Sequence, residues 1–258
     1  MNRFEGKIAI ITGASTGLGP IMAKMMAAEG AKLVLAARRQ ELVEAAAAAI
    51  GEAAVAVRAD VTSEEDVARM VDVAMQRWGQ VDVMMNNAAV PGTDKFVWEQ
   101  TLENWNATFA VDVTGAMLCS REVLNRSMLE RRSGAIVNFS SGAGWDGLPR
   151  KSHYSSAKGA LRILTKVVAK EAGEYGIRCN CVVPGSIDTE LLRNYHVRIA
   201  KEQGVPVETI RAQASDRVAL KTISTPEDVA NLALFLASDQ ARTITGQSIS
   251  VDAGYYMG

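Results

Sequence analysis

A short apolar run, KIAIIT at Lys7–Thr12, leads into the glycine-spaced turn TGASTGLG and then into PIMAKMMAAEG, whose apolar residues recur at helical spacing. Strand, glycine turn and helix in that order open a βαβ unit. Glycine permits a positive φ and leaves no Cβ between backbone and ligand. The helix start that follows offers free N–H groups and a positive dipole end to a pyrophosphate. Gly13, Gly17 and Gly19, with Ser15, Thr16 and Leu18 between or beside them, are therefore candidate cofactor contacts. Pro20 suits the first helical turn. The plainer reading is a tight strand-to-helix turn that holds nothing.

The same alternation continues along the chain. KLVLAA (Lys32–Ala37), AVAVRAD (Ala54–Asp60), VDVMMNNAA (Val81–Ala89), GAIVNFSS (Gly134–Ser141), IRCNCVVPG (Ile177–Gly185) and GQSISVDAG (Gly246–Gly254) read as further strands. Between them lie helical stretches at about 40–50, 62–79, 103–131, 154–175 and 226–238. Thr62 or Ser63 caps the second of these, and Leu161, Leu164, Val167 and Val168 form the apolar stripe of the fourth. Residues 190–225 are polar and irregular, with short helices expected. Alternating strands and helices predict an α/β fold, a parallel sheet covered on both faces, in one domain over residues 1–258.

Composition removes several other classes. Net charge is -1 and charged residues are 22% of the chain, so no basic excess points to nucleic acid. Cys119, Cys179 and Cys181 are odd in number and, with only His153 and His196, suggest neither a disulfide framework nor a metal site. The N-terminal apolar run is short and broken by charge, unlike a signal peptide, and no run is long enough to span a membrane. A cytoplasmic protein is expected.

The second strand ends LAARRQ. A dinucleotide site selective for NAD usually has a carboxylate here for the ribose hydroxyls. Ala37 and Arg38 stand there instead. Arg38, helped by Arg39, suits a 2′-phosphate, so NADP(H) is favoured and NAD(H) stays possible. Two solvated arginines at a helix start are the plainer alternative.

YSSAK puts Tyr154 and Lys158 one helical turn apart. Tyrosine titrates near ~10, and a nearby cation favours its phenolate, which is how such a pair can do acid–base work. The pattern alone is weak. It gains weight in company: TGASTGLG, ADVT (Ala59–Thr62), NNAA (Asn86–Ala89), FSS (Phe139–Ser141), YSSAK and PGSIDT (Pro184–Thr189), with ITGQSISVDAG near the end, occur in order along the chain. In these residues the chain resembles the short-chain dehydrogenase/reductase family.

The resemblance implies a Rossmann-type doubly wound sheet of seven parallel strands. It implies reversible hydride transfer between a nicotinamide and a carbonyl or secondary alcohol of a small-molecule substrate, in a homotetramer or homodimer. Tyr154 would be the general acid and base, Ser141 a donor to the substrate oxygen (Ser140 the weaker choice), and Lys158 a partner of both Tyr154 and the nicotinamide ribose. Asp60 and Val61 would border the adenine, Asn87 and Ala88 the ribose side, and Pro184, Gly185, Ile187 and Thr189 the nicotinamide end.

Three positions depart from the family pattern. Asp112, in AVDVTG, stands where the family has asparagine. It keeps the main-chain carbonyl that holds a water linked to the lysine, and its carboxylate would favour the lysine's charge. Ala89 and Ala253 stand where glycine is commoner.

The substrate pocket falls to two variable segments, GAGWDGLPRKSH and residues 190–225, the latter a candidate lid. Trp145, Arg150, His153, Arg193 and His196 are the candidate substrate contacts, with Lys151, Tyr195, Arg198 and Trp98 beside them and Leu148, Leu191 and Leu192 as an apolar patch. The cations suit an anionic or polar substrate, a sugar, polyol or hydroxy acid. They equally suit a solvated rim. The runner-up substrate is a 3-oxoacyl thioester on a carrier protein, with Arg131 and Arg132 as its only basic hint. Outside that class stand a non-catalytic cofactor-binding regulator, and an epimerase or dehydratase on the same fold.

Overall fold

The computed structural model describes residues 2–256; the side chain of Leu191 also lies outside the described part. Seven strands form one sheet in the order β3-β2-β1-β4-β5-β6-β7. They are β1 Ile8–Thr12, β2 Lys32–Ala37, β3 Ala54–Arg58, β4 Val83–Asn86, β5 Gly134–Phe139, β6 Ile177–Pro184 and β7 Ser248–Val251. Every pairing is parallel. Parallel neighbours need crossovers, and helices supply them: α1 Leu18–Ala28, α2 Gln40–Ala48, α3 Glu64–Trp78, a long α4 over 102–131, α5 Ser152–Ala172, α6 Glu190–Gln203, α7 Val207–Asp216 and α8 Pro226–Ala237.

The strands are apolar throughout because both faces are covered. Ile11, Leu33, Leu35 and Met85 pack under Met22 and Met26 of α1 and Leu234 of α8. Their alternates Ile10, Val34 and Met84 pack under Met70 of α3, Leu118 of α4 and Val168 of α5. A buried amide network joins the sheet to the second layer. Asn86 donates to Asn138 at 2.8 Å, and Asn138 donates to Thr165 of α5 at 2.8 Å.

Ser63 rather than Thr62 caps α3, accepting from Asp66 N, while Thr62 donates to Asp60. Thr225 and Asp228 form a capping box on α8. Val167 does not belong to the apolar stripe of α5: it is 42% exposed, and Thr165 and Ala169 share the buried face with Leu161 and Val168. The segment after β6 is more regular than its polar sequence suggests, with α6 running Glu190–Gln203 and stopping at left-handed Gly204. Helix α4 is not uniform. Its α-helical pieces are separated by π-turns at Ala110–Gly115 and Leu124–Met128.

The chain order leaves β1 toward β2 and β3 on one side and toward β4 and β5 on the other. This reversal opens a crevice at the carboxyl ends of β1 and β4, where open α/β sheets bind ligands. The three cysteines are buried and unpaired; burial pushes the Cys119 thiol up to about 12 and Cys181 to about 11, so neither is poised as a nucleophile. Among the described residues no helix is long and apolar enough to cross a membrane, and no cluster of metal ligands occurs.

Candidate active site

The crevice holds a 540 Å³ pocket. Gly13, Ser15, Thr16, Leu18, Arg38, Arg39, Asp60, Val61, Asn87 and Ala88 all line it. Gly13 has φ +65, and a Cβ there would come within 2.9 Å of the Ala88 Cα. A Cβ on Gly19 would lie 2.5 Å from the Gly13 carbonyl oxygen, so α1 packs this closely on the turn only through glycine. Gly17 caps α1 without a side-chain bond of its own. Arg39 donates to Thr16 at 2.8 Å and Ser15 at 3.2 Å. Arg38 lines the pocket with no such partner among the described residues. A glycine cradle at a helix start, with two arginines at the β2 end, fits a dinucleotide.

The loop after β4 is held from two sides. Thr12 Oγ1 donates to the Met85 carbonyl and accepts from Asn87 N and Ala88 N, both at 3.1 Å. From α4, Asp112 Oδ1 accepts from Val90 N at 2.8 Å. Thr12 carries no motif signal beyond its place before the glycines, and its role as a fastener was not foreseen.

Asp112 sits in the first π-turn of α4, and Lys158 comes from α5. Both are buried, at 1% and 2% exposure, and Lys158 Nζ stands 3.0 Å from Asp112 Oδ2. Lys158 also donates to the Phe139 carbonyl at 3.0 Å, at the end of β5. Burial alone would lower the Lys158 pKa. The Asp112 charge, then Tyr154, outweigh it and hold the ammonium above the ordinary lysine range. The Tyr154 ring centre is 5.5 Å from Lys158 Nζ.

Ser141 follows β5 and lines a second pocket, of 290 Å³, with Pro184 and Gly185 at the end of β6. Its Oγ accepts from Ala143 N at 3.3 Å, which leaves its own proton free. Ser140 is buried and donates to the Lys158 carbonyl, a structural task. Ile187 bridges to Ser224, and Thr189 caps α6.

Of the expected substrate contacts, only His196 lines this second pocket, with its neighbours Tyr195 and Leu192 and with Leu148. Burial, then Arg211, lowers the His196 pKa and keeps its ring neutral near pH 7. The others are occupied elsewhere. His153 is fully buried: Nδ1 accepts from Gln100 and Nε2 donates to the Pro91 carbonyl. Trp145 stacks under Arg162, 3.2 Å from ring centre to guanidinium. Arg150 lies over Phe96, and Trp98, 77% exposed, stacks on that same ring. Arg193 pairs with Asp188 at 2.9 Å. Lys151 and Arg198 pair with Asp94 and Glu202. Arg131 pairs with Asp82 and Arg132 donates to the Glu174 carbonyl, both near the amino ends of the strands. The sequence reading missed Arg217, Asp252, Tyr255 and Tyr256, which line the second pocket. The tyrosines lie beyond the last strand, where no periodicity points to them.

Residues 13–256 match the family described as enoyl-(acyl carrier protein) reductase. The chain is 36% identical to meso-2,3-butanediol dehydrogenase of Serratia marcescens, over 98% of this chain and 95% of that one. It is 33% identical to the 3-oxoacyl-[acyl-carrier-protein] reductase of Synechocystis sp., over 100% of both. The crystal structure of levodione reductase superposes with a TM-score of 0.89 at 30% identity, covering 97% of each chain.

A lysine whose pKa rises on folding adds stability that is complete below its unfolded value, near 10.5, and is lost as pH climbs through the folded value. The unfolding free energy of the wild type, less that of the Asp112→Asn/Lys158→Met double variant, should stay level from neutrality to about pH 10 and fall above it. Urea unfolding at a series of pH values checks this. A difference that already falls near neutrality would show that the pair is not the source. Asp112→Ala alone, which strands the buried ammonium, should cost about 3–5 kcal/mol.

Proposed function

The chain belongs to the short-chain dehydrogenase/reductase family, NAD(P)-dependent oxidoreductases acting on CH–OH groups, and we propose that it interconverts a carbonyl and a secondary alcohol on a small polar substrate with Tyr154 as general acid and base. The observation that carries this reading is the buried Lys158–Asp112 pair beside Tyr154, with Asp112 bonded to Val90 in the lining of the larger pocket and Lys158 bonded to the Phe139 carbonyl, two residues before Ser141 of the second pocket.

A bound nicotinamide supplies or removes the hydride. Residues of the glycine turn, Arg38, Asp60, Val61, Asn87 and Ala88 would hold the dinucleotide's adenosine half, and Ile187 and Thr189 its nicotinamide end. Lys158 donates one N–H to the Phe139 carbonyl and pairs its charge with Asp112, which leaves an N–H for the ribose hydroxyls. In reduction Tyr154 gives its proton to the substrate oxygen, and in oxidation the phenolate takes it back. Ser141, whose hydroxyl proton is free, donates to that same oxygen and holds it as charge develops. Asp112 keeps Lys158 charged through the cycle and anchors the loop at Val90. It is a positioning residue.

Arg38 beside Arg39 favours NADP(H). Residues 190–225, which contribute Leu192, Tyr195, His196 and Thr222 to the second pocket, serve as its lid. The diol dehydrogenase relative supports a polyol, sugar or hydroxy acid substrate. The acyl-carrier-protein reductase relative keeps a 3-oxoacyl thioester as the second reading, although Arg131 and Arg132 are committed inside this fold. Association into a homo-oligomer is part of the proposal.

Two experiments test it. Tyr154→Phe should lower kcat by about 10²-fold or more on any substrate found in a carbonyl and alcohol panel, with the cofactor Kd unchanged. Turnover that persists in this variant would remove Tyr154 from the chemistry. Arg38→Ala should raise KM for NADPH by about tenfold and leave KM for NADH nearly unchanged. Equal effects on the two cofactors would contradict the NADP assignment.

A further inference from the structure

The second pocket carries one free charge. Arg217 lines it, is exposed, and has no ion-pair or hydrogen-bond partner for its side chain among the described residues. Among the described lining residues the one side-chain carboxylate, Asp252, is committed: Oδ1 accepts from Gly254 N at 2.9 Å and Tyr255 N at 3.3 Å, and Oδ2 from Tyr256 N at 3.1 Å. His196 is neutral near pH 7, and the nearby Arg193 and Arg211 both face Asp188.

The backbone around Arg217 is fixed in place. It closes α7, and the residues after it are bonded to the C-terminal turn, Leu220 N to the Ala253 carbonyl at 3.0 Å and Ala219 N to the Gly254 carbonyl at 3.4 Å. Ala253 holds φ +55 there, a left-handed conformation that costs a residue with a Cβ about 1–2 kcal/mol. The same turn carries Tyr256 onto Gly142, the neighbour of Ser141: a Cβ on Gly142 would lie inside the tyrosine ring's contact distance. Arg217 and Ser141, one member of the proposed reacting centre, thus line the same pocket, with Tyr195, Tyr255 and Tyr256 among its walls.

We propose that this pocket takes a small monocarboxylate, an oxo or hydroxy acid, and that Arg217 binds its carboxylate. The inference rests on the second pocket being the substrate site. Its cause is charge complementarity: a guanidinium fork beside apolar and aromatic walls discriminates a carboxylate from its neutral isostere.

The test uses binding of non-reacting probes. Cyclohexanecarboxylate and cyclohexanecarboxamide are titrated calorimetrically into the full chain, with and without saturating NADP⁺, in wild type, Arg217→Gln and Arg217→Lys. The acid should bind wild type at least about tenfold more tightly than the amide. The ratio should fall close to one in Arg217→Gln and be intermediate in Arg217→Lys. Equal binding of acid and amide by wild type, no binding of the acid, or an acid preference that survives Arg217→Gln would each overturn the assignment. Arg217 is exposed and unpaired, so an unchanged melting temperature in Arg217→Gln will show that folding is intact. A protein that prefers the acid but turns nothing over loses the reaction proposed above and keeps this inference. One that reduces neutral ketones without acid preference does the reverse.

Discussion

A lysine ammonium with 2% exposure cannot stay charged among apolar side chains without a countercharge, and Asp112 supplies it at 3.0 Å. Much of the site follows from that one pair. It requires α4 to present a carboxylate inward, which the π-turn at Ala110–Gly115 does. It requires α5 to lie where Lys158 also reaches the Phe139 carbonyl, so the helix is referenced to the end of β5. The second oxygen of Asp112 reaches Val90 in the loop after β4. One ion pair therefore sets the relative positions of α4, α5, β5 and that loop. Tyr154, one turn before Lys158, inherits its place from them.

The sheet determines where this pair can be useful. All-parallel order buries the strands on both faces and leaves only their carboxyl ends open for ligands. Around the reversal between β1 and β4, the glycine turn forms one wall of the crevice, and the loop from Asn87 to Val90 forms the other. The loop is fastened from β1 by Thr12 and from α4 by Asp112. The result is a rigid base for the larger pocket, while the smaller pocket is completed by α6, α7 and the C-terminal turn.

Buried periodic segments were the most legible part of the sequence. β2 runs Lys32–Ala37 as its apolar pattern indicates, and Arg38 and Asp60 fall at strand ends where the crevice opens. Strand order was not legible in the periodicity; the structure supplies it. The substrate contacts were the least legible, because a cation's sequence position says nothing of its partner. Arg193 precedes the pocket residues Tyr195 and His196 yet is taken by Asp188, and His153 adjoins Tyr154 yet serves Gln100 and Pro91. Arg217 differs from them only in having no such partner. Val167 failed for another reason: its neighbour Val168 takes the buried position, and one residue along a helix turns the side chain by about 100°.

The reaction class is tested most directly by following the transferred hydrogen. Single-turnover reduction with NADPH deuterated at the transferring position, analysed by mass spectrometry and NMR, reports where the label goes. The account predicts deuterium on the carbon that bears the new hydroxyl, with the label transfer lost in Tyr154→Phe. Deuterium on a former carbon–carbon double bond, or product formed with all the label still in the cofactor, would contradict it.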